Sequence, residues 1–326
     1  MKLLIKTVEN DGRLALVPEF LSTKWEIKAV DFEQRAALAA ELATADAVVS
    51  MSWSPDMPPA PRLRLLQLPG AGTDDIDFDS IPPQAAVCNV YHHEIGIAEY
   101  VLAAMLQWTT RLPALDAALR RGDWRGSHLC GPTHGELHGQ TLGIIGYGGI
   151  GAETAKRASA FGMRVLACSR TPRAGDGFVE RVDAMDALDS LIADSDFVLV
   201  SVPLDSSTRG LIGAAQFKRM KRNAVLINVA RGLIVDEEAL FTACSKQEIA
   251  GAIIDAWYQY PRADAPSGKP SRYLFHQLDN VIITPHASAW TDGLLRRRNR
   301  TIAGNLDHLA RGEKLDNLVH APRRQA

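Results

Sequence analysis

Residues 146–151, Gly146-Tyr147-Gly148-Gly149-Ile150-Gly151, have a spacing suited to one kind of chemistry. The G-x-G-x-x-G follows an apolar run at 142–145 and precedes helical composition at 152–158. Gly146 permits a tight strand-to-helix turn, Gly148 lets bare backbone approach a pyrophosphate, and Gly151 allows close helix–strand packing. The helix N-terminus then offers unpaired N–H groups and a positive dipole end to phosphate. A second strand at 164–168 arrives within the length of a βαβ unit. Two other residues could act on a substrate beside such a cofactor. Arg231 follows the apolar run 224–229 and precedes Gly232; a guanidinium there can hold a carboxylate through two parallel hydrogen bonds and polarise an adjacent carbonyl. His286 follows Pro285 at the end of an apolar run, and imidazole exchanges protons with alcohol or ketone oxygens near neutral pH. Taken singly, each has a plainer reading: an ordinary glycine turn, an ion pair of Arg231 with Asp236 or Glu237, a packing histidine.

Such residues need a parallel sheet to present them. Short strands are expected at 3–5, 45–50, 65–68 and 86–90, and a helix at 32–42, within the first 95 residues. More strands are expected at 197–203, 224–229, 249–255 and 280–284. Strands alternating with helices imply doubly wound parallel sheets, which bind ligands beyond the carboxyl ends of their strands. Met51, Trp53, the stretch 70–73 and Tyr91 to His93 fall at such ends. A long helical pattern over 97–119 reads as a connector and a dimer surface, 261–272 reads as a loop, and 292–309 reads as a helix. With 326 residues, 46% of them hydrophobic, the chain can build two domains.

The formal net charge is −2, and the basic run 296–300 fits the solvated face of a helix better than a nucleic-acid patch. Cys88, Cys130, Cys168 and Cys244 lack metal-type spacing, and three stand in apolar surroundings, as buried thiols do in a reducing compartment. Neither a signal peptide nor a membrane-spanning run is legible, so the expectation is a soluble cytoplasmic protein.

The stretches 201–212, 226–240 and 283–289, together with the glycine motif, resemble the D-isomer-specific 2-hydroxyacid dehydrogenase family, in the right order and over nearly the whole chain. The resemblance implies an α/β protein of two Rossmann-like doubly wound parallel-sheet domains with the active-site cleft between them. Residues 1–96 and 293–326 would form a flavodoxin-like substrate-binding domain, and 97–292 the dinucleotide-binding domain. It implies hydride transfer between a nicotinamide dinucleotide and a small 2-hydroxy or 2-oxo acid, with Arg231 binding substrate and His286 serving as acid and base. Cofactor contacts carry over to Gly146, Gly148, Gly149, Ile150 and Gly151. Others carry over to Val202, Pro203 and Thr208, to Val229 and Ala230, and to Ser288, with Asp255 orienting the nicotinamide amide. A substrate carboxylate would meet the backbone at Ala71 and Gly72, with Met51, Trp53, His92 and Trp290 as further pocket candidates. A homodimer is implied, with no nucleic-acid or membrane partner. His92, His93 and Glu94 lack the spacing of a closed metal site, so no metal is expected.

Two departures from the family pattern matter. The family runs Asp-x-x-x-x-Glu-Pro from Asp255, whereas this chain places Tyr260 before Pro261. A carboxylate beside a histidine favours its protonated form, and a phenol can orient the ring without adding charge. Asp264 is a second source for that carboxylate. The other departure is Ser169, followed by Arg170 and Thr171 with Arg173 nearby, where relatives that prefer NAD carry an aspartate. Without that aspartate a 2′-phosphate is not repelled, and the Ser169 hydroxyl and a guanidinium there would bind it, so NADP is favoured with NAD as the alternative. The leading expectation is an NADP(H)-dependent reductase of small 2-oxo acids. A formate-type dehydrogenase, which tolerates loss of the glutamate, and a nucleotide-sensing binding protein without turnover are the alternatives.

Overall fold

The computed structural model describes residues 1–6, 13–261 and 265–323. In chain order its strands begin with β1 (Lys2–Lys6), β2 (Glu26–Val30), β3 (Ala47–Val49), β4 (Leu65–Gln67) and β5 (Ala86–Cys88). Then come β6 (Thr141–Ile145), β7 (Arg164–Cys168), β8 (Arg173–Ala174), β9 (Arg181–Asp183), β10 (Phe197–Val200), β11 (Val225–Asn228), β12 (Gly251–Ile254) and β13 (Val281–Ile283). The last is β14 (Leu318–His320). Between them lie α1 (Val17–Phe20), α2 (Arg35–Leu42), α3 (Glu94–Thr110), α4 (Leu112–Arg120), α5 (Gly149–Ala160), α6 (Leu188–Asp194), α7 (Ala214–Phe217), α8 (Glu237–Ser245) and α9 (Asp292–Arg311).

These elements form two compact units, Met1–His92 with Trp290–Ala326, and His93–Ala289. In the first, the sheet order is β14-β5-β4-β3-β1-β2, a flavodoxin-like order with β14 antiparallel on its edge. In the second it is β13-β12-β11-β10-β6-β7-β9-β8, with β8 antiparallel at the rim. There β6 and β10 are neighbours and the chain winds outward to both sides, the Rossmann arrangement with its switch point beyond those two strands.

Apolar runs become strands here because helices cover both faces of a parallel sheet. Alternate residues of one strand then enter opposite cores. Ile145, Val198, Val200 and Leu226 pack on one side of the second sheet, and Ile144, Leu199, Val225 and Ile227 on the other. Cys88, Cys168 and Cys244 are buried and Cys130 is exposed. Among the described residues, no helix is long and apolar enough to cross a membrane.

The helix expected over 97–119 is two helices. Arg111 adopts the left-handed region at φ 55°, ending α3 and starting α4, whose second residue is Pro113. No residue of α4 is buried, and Leu112, Leu115 and Leu119 are exposed on it. β2, β8, β9 and β14 have no counterpart in the sequence reading.

Candidate active site

The residues expected to hold a dinucleotide collect at the carboxyl ends of the second sheet. Gly146 follows β6 at φ 98°, and a Cβ there would lie 2.7 Å from Val202 Cγ1. Gly151 faces the carbonyl of Gly146, which an added Cβ would approach to 2.5 Å. Gly148 caps α5 with open space before it, while Gly149, Ile150 and Gly151 form the first turn of that helix. This cradle fits a pyrophosphate, because bare N–H groups and the positive end of α5 point at the same place. Glu94, at the start of α3, lies against Gly149, a neighbour that the motif alone does not announce.

Val202 and Pro203 follow β10. Thr208 is buried nearby, donating its hydroxyl to the Pro203 carbonyl at 2.7 Å. Val229 and Ala230 follow β11, where Asn228 braces the turn: its Oδ1 accepts from Ala230 N–H at 3.1 Å, and its Nδ2 donates to the Arg231 carbonyl at 3.0 Å. Arg231 is half-buried and donates to the Ala230 carbonyl at 2.9 Å. Asp236 caps α8 and Glu237 pairs with Arg272 at 3.0 Å.

At the end of β7, Ser169 donates its hydroxyl to the Thr171 carbonyl at 2.8 Å. That proton is spent, so the expected donation from Ser169 to a 2′-phosphate requires breaking this bond. The guanidinium groups are better placed to serve. Arg173 donates to the Tyr147 carbonyl at 2.6 Å and lies over the Tyr147 ring, beside the glycine turn. Arg170 pairs with Asp205 at 3.3 Å, which brings a carboxylate to this rim that the sequence reading did not register.

Beyond β12 and β13 the polar bonds become dense. Asp255 is fully buried. Its Oδ1 accepts from Thr284 Oγ1 at 2.6 Å and Ala287 N–H at 2.8 Å, and its Oδ2 from Ser288 N–H at 3.0 Å. Asp255 therefore secures the turn that carries His286. It spends three acceptor positions on this chain, beyond the amide-orienting role the resemblance implies. His286 sits at φ 56°, a conformation that a non-glycine residue holds only when its surroundings impose it.

Tyr260 meets His286, with Oη 2.8 Å from Nδ1 and the rings tilted at 48°. Tyr260 Oη also accepts from Trp257 N–H at 3.0 Å. Half the tyrosine surface is open, and partial desolvation raises the phenol above its ordinary value. It stays neutral and can give its proton to Nδ1 of neutral His286, leaving the histidine proton on Nε2. The histidine is exposed as a residue, but its ring is crowded by protein. Desolvation moves its pKa below the ordinary value, the charge of Arg231 acts in the same direction, and Asp255 opposes both. Asp264 lies outside the described residues.

The candidate substrate residues lie in the first unit. Met51 follows β3 and packs on Gly70. The Ala71 carbonyl accepts from Asn89 Nδ2 at 2.9 Å, and Gly72 continues that turn. His92 is exposed at φ 71°, with Arg297 donating to its carbonyl at 3.2 Å. Trp290 is exposed beneath the Arg13 guanidinium. Trp53 is 2% exposed and packs in the core of its unit with Leu66 and Ile76. Among the described residues, no group of three His, Cys, Asp or Glu side chains could hold a metal ion.

A Rossmann-ordered sheet and a glycine turn against α5, with Arg231 and His286 at the carboxyl edge, define an α/β protein of the dinucleotide-binding class. The model for the NAD binding domain of D-isomer specific 2-hydroxyacid dehydrogenases matches residues 102–288. A glyoxylate reductase of Korarchaeum cryptofilum is 33% identical over 287 residues, covering 84% of this chain and 82% of that protein. A D-3-phosphoglycerate dehydrogenase of Methanocaldococcus jannaschii is 34% identical over 267 residues, covering 81% of this chain. The chain spans about half the length of that relative, 48%. Among solved structures, a 2-hydroxyacid dehydrogenase from Ketogulonicigenium vulgare Y25 shares the fold, with TM-score 0.81, 22% identity and 98% of each chain covered. The chain belongs to the D-isomer specific 2-hydroxyacid dehydrogenase family.

Proposed function

We propose that the protein is an NADP(H)-dependent oxidoreductase that interconverts small 2-oxo acids and D-2-hydroxy acids, in the manner of glyoxylate and hydroxypyruvate reductases. The observation that carries this reading is the bond of Tyr260 Oη to His286 Nδ1 at 2.8 Å, on a turn that Asp255 secures at the same carboxyl edge of the sheet as Arg231. The dinucleotide, when bound, supplies or accepts the hydride. Arg231 binds the substrate carboxylate and polarises the neighbouring carbonyl. His286, when protonated, delivers the Nε2 proton to the oxygen that gains charge. Its remaining Nδ1–H then donates to Tyr260 Oη. The preference for NADP rests on Arg170 and Arg173 and on a serine in place of the aspartate at 169. Recognition of the rest of the substrate is assigned to Met51, the turn at Ala71 and Gly72, His92 and Trp290.

The state we propose is a homodimer, in which the unburied face of α4 with Leu112, Leu115 and Leu119 meets a second copy. The testing experiment is NADPH oxidation with glyoxylate and hydroxypyruvate, compared with NADH. Turnover of neither acid overturns the reading. A second reading, formate-type oxidation, is favoured by one observation, a phenol on Nδ1 in the place where the family resemblance implies a carboxylate. NADP reduction by formate without 2-oxo acid turnover selects it.

A further inference from the structure

Tyr100, on α3, ends against the turn that carries His286. Its hydroxyl is 2.7 Å from Thr284 Oγ1, which is 2.6 Å from Asp255 Oδ1. A carboxylate offers only acceptors, so Thr284 must donate to Asp255, and its remaining lone pairs receive the Tyr100 proton. The direction of both bonds is thereby set. Burial raises the Tyr100 phenol above its ordinary value and keeps it a donor.

The chain of bonds reaches the histidine backbone from both sides. Two residues before His286, the Thr284 carbonyl accepts from His286 N–H at 3.0 Å and from Trp257 Nε1–H at 2.7 Å. One and two residues after it, Ala287 and Ser288 donate to Asp255. Thr284 is thus the joint between the buried carboxylate and the left-handed histidine. With its own hydroxyl proton on Asp255, Thr284 receives the Tyr100 proton on a lone pair, so Tyr100 braces the side chain that ties the turn.

We infer that Tyr100 is a positioning residue for His286, acting through Thr284 and Asp255. The inference rests on His286 being the proton donor of the proposed reduction. Tyr100 itself touches neither reacting group; it holds the strained turn in the one arrangement that presents the imidazole. Phenylalanine keeps the ring and its packing and removes only the donor, so the effect is read on turnover and not on binding.

The test is a double-mutant cycle in 2-oxo acid reduction, with His286→Ala measured beside it. Tyr100→Phe is expected to lower kcat by about 3–10-fold, the worth of one hydrogen bond, with KM for the acid and the NADPH dissociation constant unchanged within about twofold. Thr284→Val is expected to lose at least as much, and Thr284→Ser to recover most of it. The double variant Tyr100→Phe/Thr284→Val should be no slower than Thr284→Val alone, because Tyr100 acts only through that hydroxyl. Parental kcat in Tyr100→Phe overturns the inference, as do losses that multiply in the double variant. If Tyr100→Phe fails to fold, recovery in Thr284→Ser against loss in Thr284→Val still decides whether the joint works as described. Failure of the underlying reading looks different: His286→Ala then reduces 2-oxo acids like the parent, whatever the Tyr100 variants do.

Discussion

The two ends of the dinucleotide-binding sheet hold their functional side chains in opposite ways. Beyond β12 and β13, Asp255, Thr284, Tyr100, Trp257 and Tyr260 tie one histidine turn with a connected set of bonds, half-buried except for the exposed contact of Tyr260 with His286. Beyond β7, Ser169, Arg170 and Arg173 make single bonds at the rim, and Arg170 pairs with Asp205 in the open. An exposed pair of that kind contributes about 0–1 kcal/mol. A stranded buried donor costs about 1–3 kcal/mol. The histidine end is built for geometry. The rim is built for charge, and its residues can be exchanged without disturbing the turn across the sheet.

The comparison breaks most visibly at the histidine. His286→Ala should reduce kcat for 2-oxo acid reduction by about 10²–10⁴, whereas Arg231→Ala should lose both affinity and rate, since it holds charge present in ground and transition states. Steady-state kinetics of both variants decide this, and equal behaviour of the two would remove the division of labour. Asp255→Ala leaves the Ala287 and Ser288 N–H donors and the Thr284 hydroxyl without their acceptor. Stability should fall by at least ~2 kcal/mol in urea titration, and activity with it. At the rim, Ser169→Asp should shift the ratio of NADPH to NADH affinities by about 10–100-fold, the scale of one or two charge-assisted bonds, with the unfolding midpoint unchanged. A lowered midpoint there would blur the contrast between the two ends.

The smallest effect is the most diagnostic. His286 titrates below its ordinary value, and reduction needs its protonated form. kcat/KM for reduction is therefore full below that lowered pKa and is lost as pH rises through it. Tyr260→Glu adds a negative charge at Nδ1, raises the pKa, and should move the fall to higher pH without raising the plateau. Superimposable profiles for parent and variant, at saturating NADPH, would mean that the phenol does not control the imidazole.

Much of this was readable along the chain. β6, β10, β11 and β12 are apolar runs because both faces of a parallel sheet are covered, and the glycine turn is a local pattern whose spacing states its own geometry. The polar edge strands were not readable. β2 exposes four of its five residues, and β8 is two exposed residues at a rim, so neither shows the apolar signal of a buried strand. The break at Arg111 escaped because a left-handed turn there uses no glycine. The place of Trp53 beyond β3 is visible in the sequence, and its burial is not.

What the sequence determined by itself was the set of chemical groups and the strand ends that present them: the glycine turn, Arg231, Tyr260 and His286. Those are matters of residue type and short spacing. The tertiary structure alone decided which groups meet. Tyr260 and His286 are 26 residues apart, Asp255 and the Ser288 N–H 33 apart, and Tyr100 and Thr284 184 apart. A hydrogen bond forms between atoms less than about 3.5 Å apart, and over such separations only the winding of the sheet brings them together. The field on the histidine follows from that winding, because desolvation and neighbouring charge are properties of the folded surroundings and not of the residue.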